Sequence, residues 1–291
     1  GRGDRWLGSG MLKRLLIASG GLTPVSTFYL VEAVGANNEP HSFISLQVDG
    51  NNRPNTTCFK GASTASAQNS HFIHCEAIRA ASDGFTSANC VQCFASGNGG
   101  GGFISVIPYF CYAKNNTGVG ISVLAEPFHC IAVGNGAGGI NVGFSTNGVN
   151  LTAYGKTSWG IACSRNNTLI NSISVNNTDD GFETLDNTIL INCVDYNNSA
   201  GRLATEPHLD FNPITLSGDP FVNAVGDDFT PNTTLGAGLS LINAGINTYG
   251  YTGFLDIGAI QHGSTGISIG SSGVTVYLNI VDPLTDTIGA I

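Results

Sequence analysis

The chain has 291 residues, a formal net charge of −9, only 11% charged residues and 40 glycines. This length allows a large core in one or two domains. Few charges and many uncharged polar side chains favour an extended β surface over helices. The acidic balance argues against nucleic acid as a partner, because phosphate binding requires clustered Lys and Arg. The sequence contains no apolar run of about 18 residues, so no membrane span is predicted.

The chain contains seven copies of a segment with a fixed internal spacing. Each copy reaches a large apolar residue ten positions after its start, and in six copies that residue follows a glycine. The starts are 18 to 21 residues apart and lie at Cys75, Cys93, Cys111, Cys130, Leu151, Ser172 and Cys193. An eighth, weaker copy is predicted to start at Cys58. This pattern predicts a stacked coil that has a rigid part and a loop of variable length.

Alternation of residue types predicts one half-buried strand of five residues around each start. The start residue, the small residue two positions later and the large apolar residue two positions earlier are predicted to point inward. That large row consists of Ile73, Val91, Tyr109, Phe128, Val149, Ile170 and Ile191. The residues between these positions are predicted to point outward, which makes His74 and His129 solvated surface histidines.

Two ladders of like residues are predicted along the stack. Asparagines five positions after the start suit a turn with left-handed backbone, and their amides can bond to one another across coils; they are Asn98, Asn116, Asn135, Asn177 and Asn198. The second ladder consists of Cys58, Cys75, Cys93, Cys111, Cys130 and Cys193. Stacked cysteines have parallel Cβ vectors, which is poor disulfide geometry, so buried free thiols are expected. Cys90 and Cys93 form a lone CxxC without a second pair, so neither a zinc site nor any other cofactor is predicted.

The predicted fold is therefore all-β: a right-handed parallel β-helix of about eight or more coils, with 18–21 residues each and a short C-terminal β extension. The coils are predicted to occupy residues 41–205, and closing coils residues 206–262, where four prolines interrupt regular pairing. Residues 1–40 are expected to form an N-terminal cap or attachment segment. Residues 263–291 are expected to form the extension, which would serve assembly or link to further chain; its alternating strand over 273–281 has one apolar face that needs a partner.

Three stretches resemble the pectin-lyase-like superfamily of right-handed β-helices, which includes bacterial surface proteins and phage tailspikes. They are FISLQVDGNN over 43–52, GDPFVNAVGDDF over 218–229 and INAGINTYGYTGFLDIGAIQ over 242–261. The resemblance covers roughly residues 41 to 262. It implies comparison with pectate lyases, which hold calcium with outward acids beside a basic residue, and with polygalacturonases, which use an aspartate cluster with Gly-His-Gly and Arg-x-Lys. Neither of the polygalacturonase motifs occurs in this chain.

Three sets of side chains are the candidates for chemistry. Paired carboxylates can serve glycoside hydrolysis, which makes Asp179, Asp180 and Glu183 catalytic candidates. However, Asp180 occupies the repeat position of Asp83, so a turn role is the preferred interpretation. Asp219, Asp227 and Asp228 are candidates for calcium, although caps of turns are preferred there too. Glycan binding would fall on the aromatics expected to be exposed, which are Phe94, Phe110 and Tyr112.

The leading functional hypothesis is a structural or adhesive surface protein. Low charge, no acidic groove and no basic catalytic residue favour a β-helical virion component, such as a phage tailspike, fibre or capsid decoration, or an extracellular surface component. The alternatives are a polysaccharide lyase or glycoside hydrolase, and a carbohydrate-binding module. The expected partners are further copies of the chain, a larger virion or surface assembly and possibly glycans, and the resemblance favours a trimer. The expected location is extracellular or on a virion surface.

Overall fold

A computed structural model describes residues 5–7, 14–17, 28–32, 41–61, 70–155, 158–203, 208–246, 256–260, 267–268 and 275–276. Within these ranges the regular structure is almost entirely β, and its only helical turns are two 3-10 segments, Ala224–Gly226 and Gly238–Ser240. Successive strands pair in parallel with the strands one coil before and after them. The chain is a right-handed parallel β-helix, as the repeat predicted, and its coil count differs slightly from the expected number.

Three faces run along the stack. The first face contains Arg5–Leu7 (β1), His41–Ile44 (β4), Ser70–Ile73 (β7), Asn89–Val91 (β10), the second half of Phe103–Tyr109 (β12), Asn147–Val149 (β17), Thr168–Ile170 (β20), Thr188–Ile191 (β23) and His208–Phe211 (β26). The second face contains Arg14–Ile17 (β2), Leu46–Asp49 (β5), Glu76–Ile78 (β8), Phe94–Ser96 (β11), Tyr112–Lys114 (β13), Ile131–Val133 (β15), Thr152–Tyr154 (β18), Ile173–Val175 (β21), Val194–Tyr196 (β24) and Ile214–Thr215 (β27).

The third face contains Phe28–Glu32 (β3), Thr56–Lys60 (β6), Phe85–Thr86 (β9), the first half of β12, Val119–Val123 (β14), Gly138–Val142 (β16), Trp159–Cys163 (β19), Asp180–Thr184 (β22) and Gly201–Leu203 (β25). Because β12 turns from the third face to the first, the two are joined there in one hydrogen-bonded sheet. Two antiparallel pairs stand outside the stack: Phe221–Asn223 (β28) with Asp228–Pro231 (β29), and Ile267–Ser268 (β30) with Thr275–Val276 (β31). The predicted strand over 273–281 lies mostly outside the described residues.

A left-handed residue separates the first face from the second in every regular coil. This residue has a φ of 50–56° and is His74, Gln92, Phe110, His129, Asn150, Asn171 or Asn192. The predicted five-residue strand is therefore two short strands with a bend between them. The bend shifts the alternation by one position on the first face, so that Phe72 and Leu169 are fully buried while Tyr109 is 39% exposed. The prediction that the row of Ile73 to Ile191 points inward is wrong.

The inner core is built from rows of like residues that stack along the axis. Phe59, Phe85 and Phe103 stack face to face, with ring centroids 4.6 and 4.8 Å apart, and Ile121 continues the row. The glycines before Phe85, Phe103 and Ile121 lie against the asparagine ladder, whereas Cys58 precedes Phe59. At Gly120 a Cβ atom would meet Asn135 Nδ2 at 2.5 Å and Gly139 O at 2.8 Å. This close approach explains why the position is glycine in consecutive coils.

A C-terminal strap, defined as residues 219–246 and 256–260, covers the outside of the second face. Its apolar residues Phe221, Phe229, Leu241 and Ile257 pack against the outward side chains of that face in a second hydrophobic cluster. The covered side chains include Phe94, Tyr112, Ile131, Ile173 and Val194. In the described part of the predicted closing segment 206–262, β26 and β27 continue the coils, and the strap folds back along the side of the stack. At the other end, β1, β2 and β3 pair in parallel with β4, β5 and β6.

Candidate functional site

The carboxylates of Asp179, Asp180 and Glu183 lie together on the outside of the third face. Asp180 and Glu183 are half-buried on β22, and Asp179 precedes the strand and is exposed. Burial, followed by repulsion from the neighbouring carboxylates, raises the pKa of both Asp180 and Glu183. No ion pair or hydrogen bond to another described residue involves the carboxylate of Asp180. At the same repeat position, Asp83 accepts a hydrogen bond at Oδ1 from Gly101 N at 2.7 Å.

Trp159 adjoins these carboxylates and was not predicted as a site residue. The pairing of Ile161 with Phe182 places Trp159 beside Asp180 in the next coil. The indole lies over Gly138 so closely that any Cβ at that position would overlap the ring. Trp159 is half-buried, so part of its ring faces solvent. Trp159, Asp179, Asp180 and Glu183 form the third-face patch. The sequence signal that could have identified Trp159 is its size, because the preceding coil has Gly138 at the same position.

The aromatic residues proposed for glycan binding do not form an exposed platform. Phe94 is only 6% exposed and Tyr112 only 1%, because the strap covers both. Phe110 is half-buried, and its ring stacks on that of His129 with centroids 5.1 Å apart. The expected exposure of Phe94 and Tyr112 is wrong because sequence alternation cannot show a segment that returns from more than 100 residues away.

The three aspartates proposed for calcium each make separate contacts within the strap or between it and the coils. Asp227 accepts a hydrogen bond from Tyr112 Oη at 2.8 Å and forms an ion pair with Lys114. Asp219 accepts hydrogen bonds from Tyr154 Oη at 3.2 Å and from its own turn at Phe221 N. Asp228 accepts one from the backbone N–H of Thr230 at 3.0 Å. Among the described residues, no three His, Cys, Asp or Glu side chains are grouped to hold a metal ion.

Solved structures similar to this chain come from three kinds of protein. A pectate lyase, Pel9A, matches with a TM-score of 0.59 and 12% identity over 86% of each chain. ORF18 of Geobacillus virus E2 matches with a TM-score of 0.50 and 12% identity, over 72% of this chain and 48% of its own length. The A-module of the mannuronan C-5 epimerase AlgE4 from Azotobacter vinelandii matches at 0.42 and 16%, over 65% and 59%. No protein-family model and no curated protein matches the chain. The chain therefore shares the parallel β-helix fold with Pel9A and ORF18.

The cysteine row of this β-helix differs from the predicted one at Cys58. Cys75, Cys93, Cys111 and Cys130 occupy consecutive positions inside the stack, whereas Leu151 and Ser172 separate Cys130 from Cys193. Pairing of Phe59 with Phe85 places Cys58 on the third face, and Leu46 takes the start position of that coil. All eight cysteines are free and buried, and burial raises the pKa of the Cys58 and Cys130 thiols to about 12. A reactive thiol needs a lowered pKa, so the raised pKa values of Cys58 and Cys130 indicate unreactive thiols.

The asparagine ladder also differs in backbone detail from the prediction. Nδ2 of Asn98 lies 2.8 Å from Oδ1 of Asn116, and Nδ2 of Asn116 lies 2.9 Å from Oδ1 of Asn135. Asn177 and Asn198 are joined in the same way at 2.8 Å. The left-handed residue is the one before each ladder position, for example Gly97 and Asn115. The ladder amides are therefore held by bonds to neighbouring coils, and the preceding residue makes the turn.

His129 lies buried between the coils and the strap, which corrects its assignment as a solvated residue. Its Nδ1 donates to Ala259 O at 2.9 Å, and its Nε2 accepts from Asn150 Nδ2 at 3.0 Å. These two bonds require the neutral tautomer protonated on Nδ1. Burial lowers the pKa of His129 to about 4. His74, at the same turn position, is exposed as predicted.

In the described part of the chain, no helix is long and apolar enough to span a bilayer.

Proposed function

We propose that the chain is a structural and adhesive component of an extracellular surface or a virion. The observation that carries this proposal is the sealed second face. The strap buries the aromatic row that a glycan-binding module of this design would expose. The remaining surface of the stack carries mostly uncharged polar side chains, and hydrogen-bonded ladders inside it join the coils. Such a surface suits a durable extracellular element better than a soluble catalyst.

The virus protein ORF18 among the structural neighbours supports a virion location, and the low charge of the chain suits assembly into a larger body. In this proposal residues 1–40 and 263–291 serve attachment and assembly, and copies of the chain associate, with a trimer favoured. The test is immunogold electron microscopy of the native source with antibodies raised against the folded chain. Gold on virions or on a cell surface is expected. Label found only on free protein in the medium would contradict the proposal.

A glycan depolymerase is the second candidate, and the third-face patch favours it. Glycoside cleavage requires a carboxylic acid that stays protonated near neutral pH and a second carboxylate nearby. Asp180 and Glu183 have raised pKa values, and the strand register places Trp159 next to Asp180 in the preceding coil. A pectate lyase is among the structural neighbours. Glycans would contact the patch under either function, as an adhesive ligand or as a substrate.

The two candidates differ in what happens to a bound polysaccharide. Incubation of the wild-type chain with a panel of acidic and neutral polysaccharides should release no reducing ends and no unsaturated product. Cleavage by the wild type that is lost in Asp180→Asn or Glu183→Gln, but retained in Asp186→Asn, would establish the depolymerase instead. Asp186 is a suitable control because it is paired with Arg165 at 3.3 Å.

A further inference from the structure

Five of the eight cysteines meet in one part of the core. Cys75, Cys93, Cys111 and Cys130 stack on consecutive coils, and Cys90 is buried inside the first face beside them. The thiol of Cys93 contacts the thiols of its two row neighbours and of Cys90. These five residues are called the thiol cluster. The function proposed above makes no use of this cluster.

Backbone carbonyls around the four stacked cysteines suit thiols in their reduced form. Each sulfur lies near the first-face carbonyl oxygen one coil earlier; the distances are 3.4 Å from Cys75 to Phe43, 3.1 Å from Cys93 to Phe72, 3.3 Å from Cys111 to Cys90 and 3.5 Å from Cys130 to Pro108. A second carbonyl, two positions before each cysteine, lies 3.4 to 3.5 Å from the same sulfur. Only a thiol can donate to these oxygens, because a disulfide sulfur carries no hydrogen.

The stacking geometry opposes disulfides between members of the row. Neighbouring strands are about 4.8 Å apart, but their Cβ vectors run parallel, whereas a disulfide needs a dihedral angle of about 90°. Cysteines two coils apart, such as Cys75 and Cys111, are separated by about 9.6 Å, which exceeds the limit of about 7 Å between Cα atoms. A disulfide within the row would therefore strain the coils or prevent them from stacking.

The unfolded chain has no such protection against oxidation. Consecutive members of the thiol cluster are only 3 to 19 positions apart in the sequence, and flexible loops of this length close readily. Two thiols of the unfolded chain can exchange with one molecule of oxidised glutathione, which forms one protein disulfide and releases two molecules of reduced glutathione. In the folded chain all five cysteines are buried, so this reagent does not reach them.

We propose that the chain reaches its fold only while the thiol cluster is reduced, and that the finished fold then protects the thiols from oxidants. Folding must accordingly take place in a reducing compartment, where thiols do not pair. This requirement does not depend on what the chain does. One consequence rests on the proposed function: a virion or surface component of this kind is folded inside the cell before it is released.

The test is refolding of the full-length chain from urea, either with a thiol reductant or with oxidised glutathione. Native recovery, read by circular dichroism and a cooperative melt, should be about tenfold lower with the oxidant, because non-native disulfides block stacking. Oxidant added after folding should change neither the melting temperature nor the count of eight free thiols. Equal recovery in the two buffers, or a folded chain whose cluster thiols are oxidised, would overturn the proposal.

A cluster variant and a matched control identify which thiols are responsible. The row already contains the buried Ser172, whose Oγ donates to Ile170 O at 3.1 Å, so serine suits this position. The variant therefore has serine at the four row positions and alanine at Cys90, and its recovery in the oxidant should rise severalfold. The control, Cys58→Ser with Cys163→Ser, keeps the cluster and should recover no better than the wild type. A cluster variant without improvement would contradict the assignment.

If the cluster variant does not fold in reductant, the wild-type chain is compared after production in two compartments of a bacterial host. Soluble chain with a cooperative melt is expected from the reducing cytoplasm, whereas chain exported unfolded to the oxidising periplasm should be aggregated and disulfide-linked. Equal yields with equal melting temperatures would overturn the proposal. These outcomes concern folding alone, so they are separate from the immunogold test of where the chain resides.

Discussion

Replacing Asn116 by alanine tests whether the asparagine ladder holds the coils together. The side chain of Asn116 is almost fully buried and makes four hydrogen bonds. Oδ1 accepts from Asn98 N at 3.0 Å and from Asn98 Nδ2 at 2.8 Å, while Nδ2 donates to Asn135 Oδ1 at 2.9 Å and to Ala95 O at 3.2 Å. In the alanine variant the backbone N–H of Asn98 loses its acceptor. Water cannot replace that acceptor, because Asn98 is buried.

An orphaned buried donor costs about 1–3 kcal/mol, and each lost bond adds about 0.5–1.5 kcal/mol net, so we expect a loss of about 3 kcal/mol. For a chain of this size that corresponds to a melting temperature about 6 °C lower. The assay is thermal and urea unfolding followed by circular dichroism. The matched control is Asn141→Ala on the outside of the third face, where the side chain of Asn141 makes no hydrogen bond to a described residue. Small and equal losses at Asn116 and Asn141 would refute the reasoning.

Three further predictions concern the strap, the turn glycines and pH. His129 has a folded-state pKa of about 4, and its ordinary value is about 6.5. The unfolded chain therefore takes up the proton first as pH falls, so this contribution is complete above about pH 6.5 and declines by on the order of 3 kcal/mol toward pH 4. His129→Asn should flatten that part of the unfolding profile, and identical profiles would contradict the assignment. Gly120→Ala should lower the free energy of unfolding by about 2 kcal/mol or more, because the new methyl group overpacks the core. Gly97→Asn should leave the free energy of unfolding in urea nearly unchanged. The φ of Gly97 is 64°, which asparagine tolerates, and a Cβ there would meet nothing within 4 Å. Phe229→Ala should cost about 3–5 kcal/mol and expose the second face to a hydrophobic dye; Val225→Ala, 89% exposed, should do neither.

The repeat was readable because its rigid part spans two strands and one tight turn, where any insertion would break the stacking. The constant distance from Cys93 to Phe103 therefore survived while loops varied. In the coil before Cys75 the large apolar residue Phe59 comes 59 − 46 = 13 positions after the start residue Leu46, against ten in the later coils, and the coil does not start at the predicted Cys58. A fold built by stacking gives strong sequence signals only where consecutive coils have equal length.

The orientation of the first face could not be read from alternation alone. A single left-handed residue at the bend reverses the order of inward and outward positions, and His129 or Gln92 carries no obvious mark of that geometry. Large apolar residues on both sides of the bend looked like one buried strand. The structure instead assigns Leu169 to the core and Ile170 to the outside.

The strap and the third-face patch depend on contacts between distant segments. Phe94 and Tyr112 stand at a position where a solvent-facing sheet would carry polar groups, and this was a signal that the second face is covered. The covering segment itself, around Phe229, has no repeat and no strong periodicity. Trp159 and Glu183 are a full coil apart in sequence, and only the stacking register brings them to one surface.

A high-resolution cryo-electron microscopy map of the chain in its native assembly tests this account most directly. The account predicts that the strap is seated on the second face over Phe94 and Tyr112 and that the chain is attached to a virion or a cell surface. A chain attached to neither, with a cleaved glycan bound at Asp180 and Glu183, would contradict it.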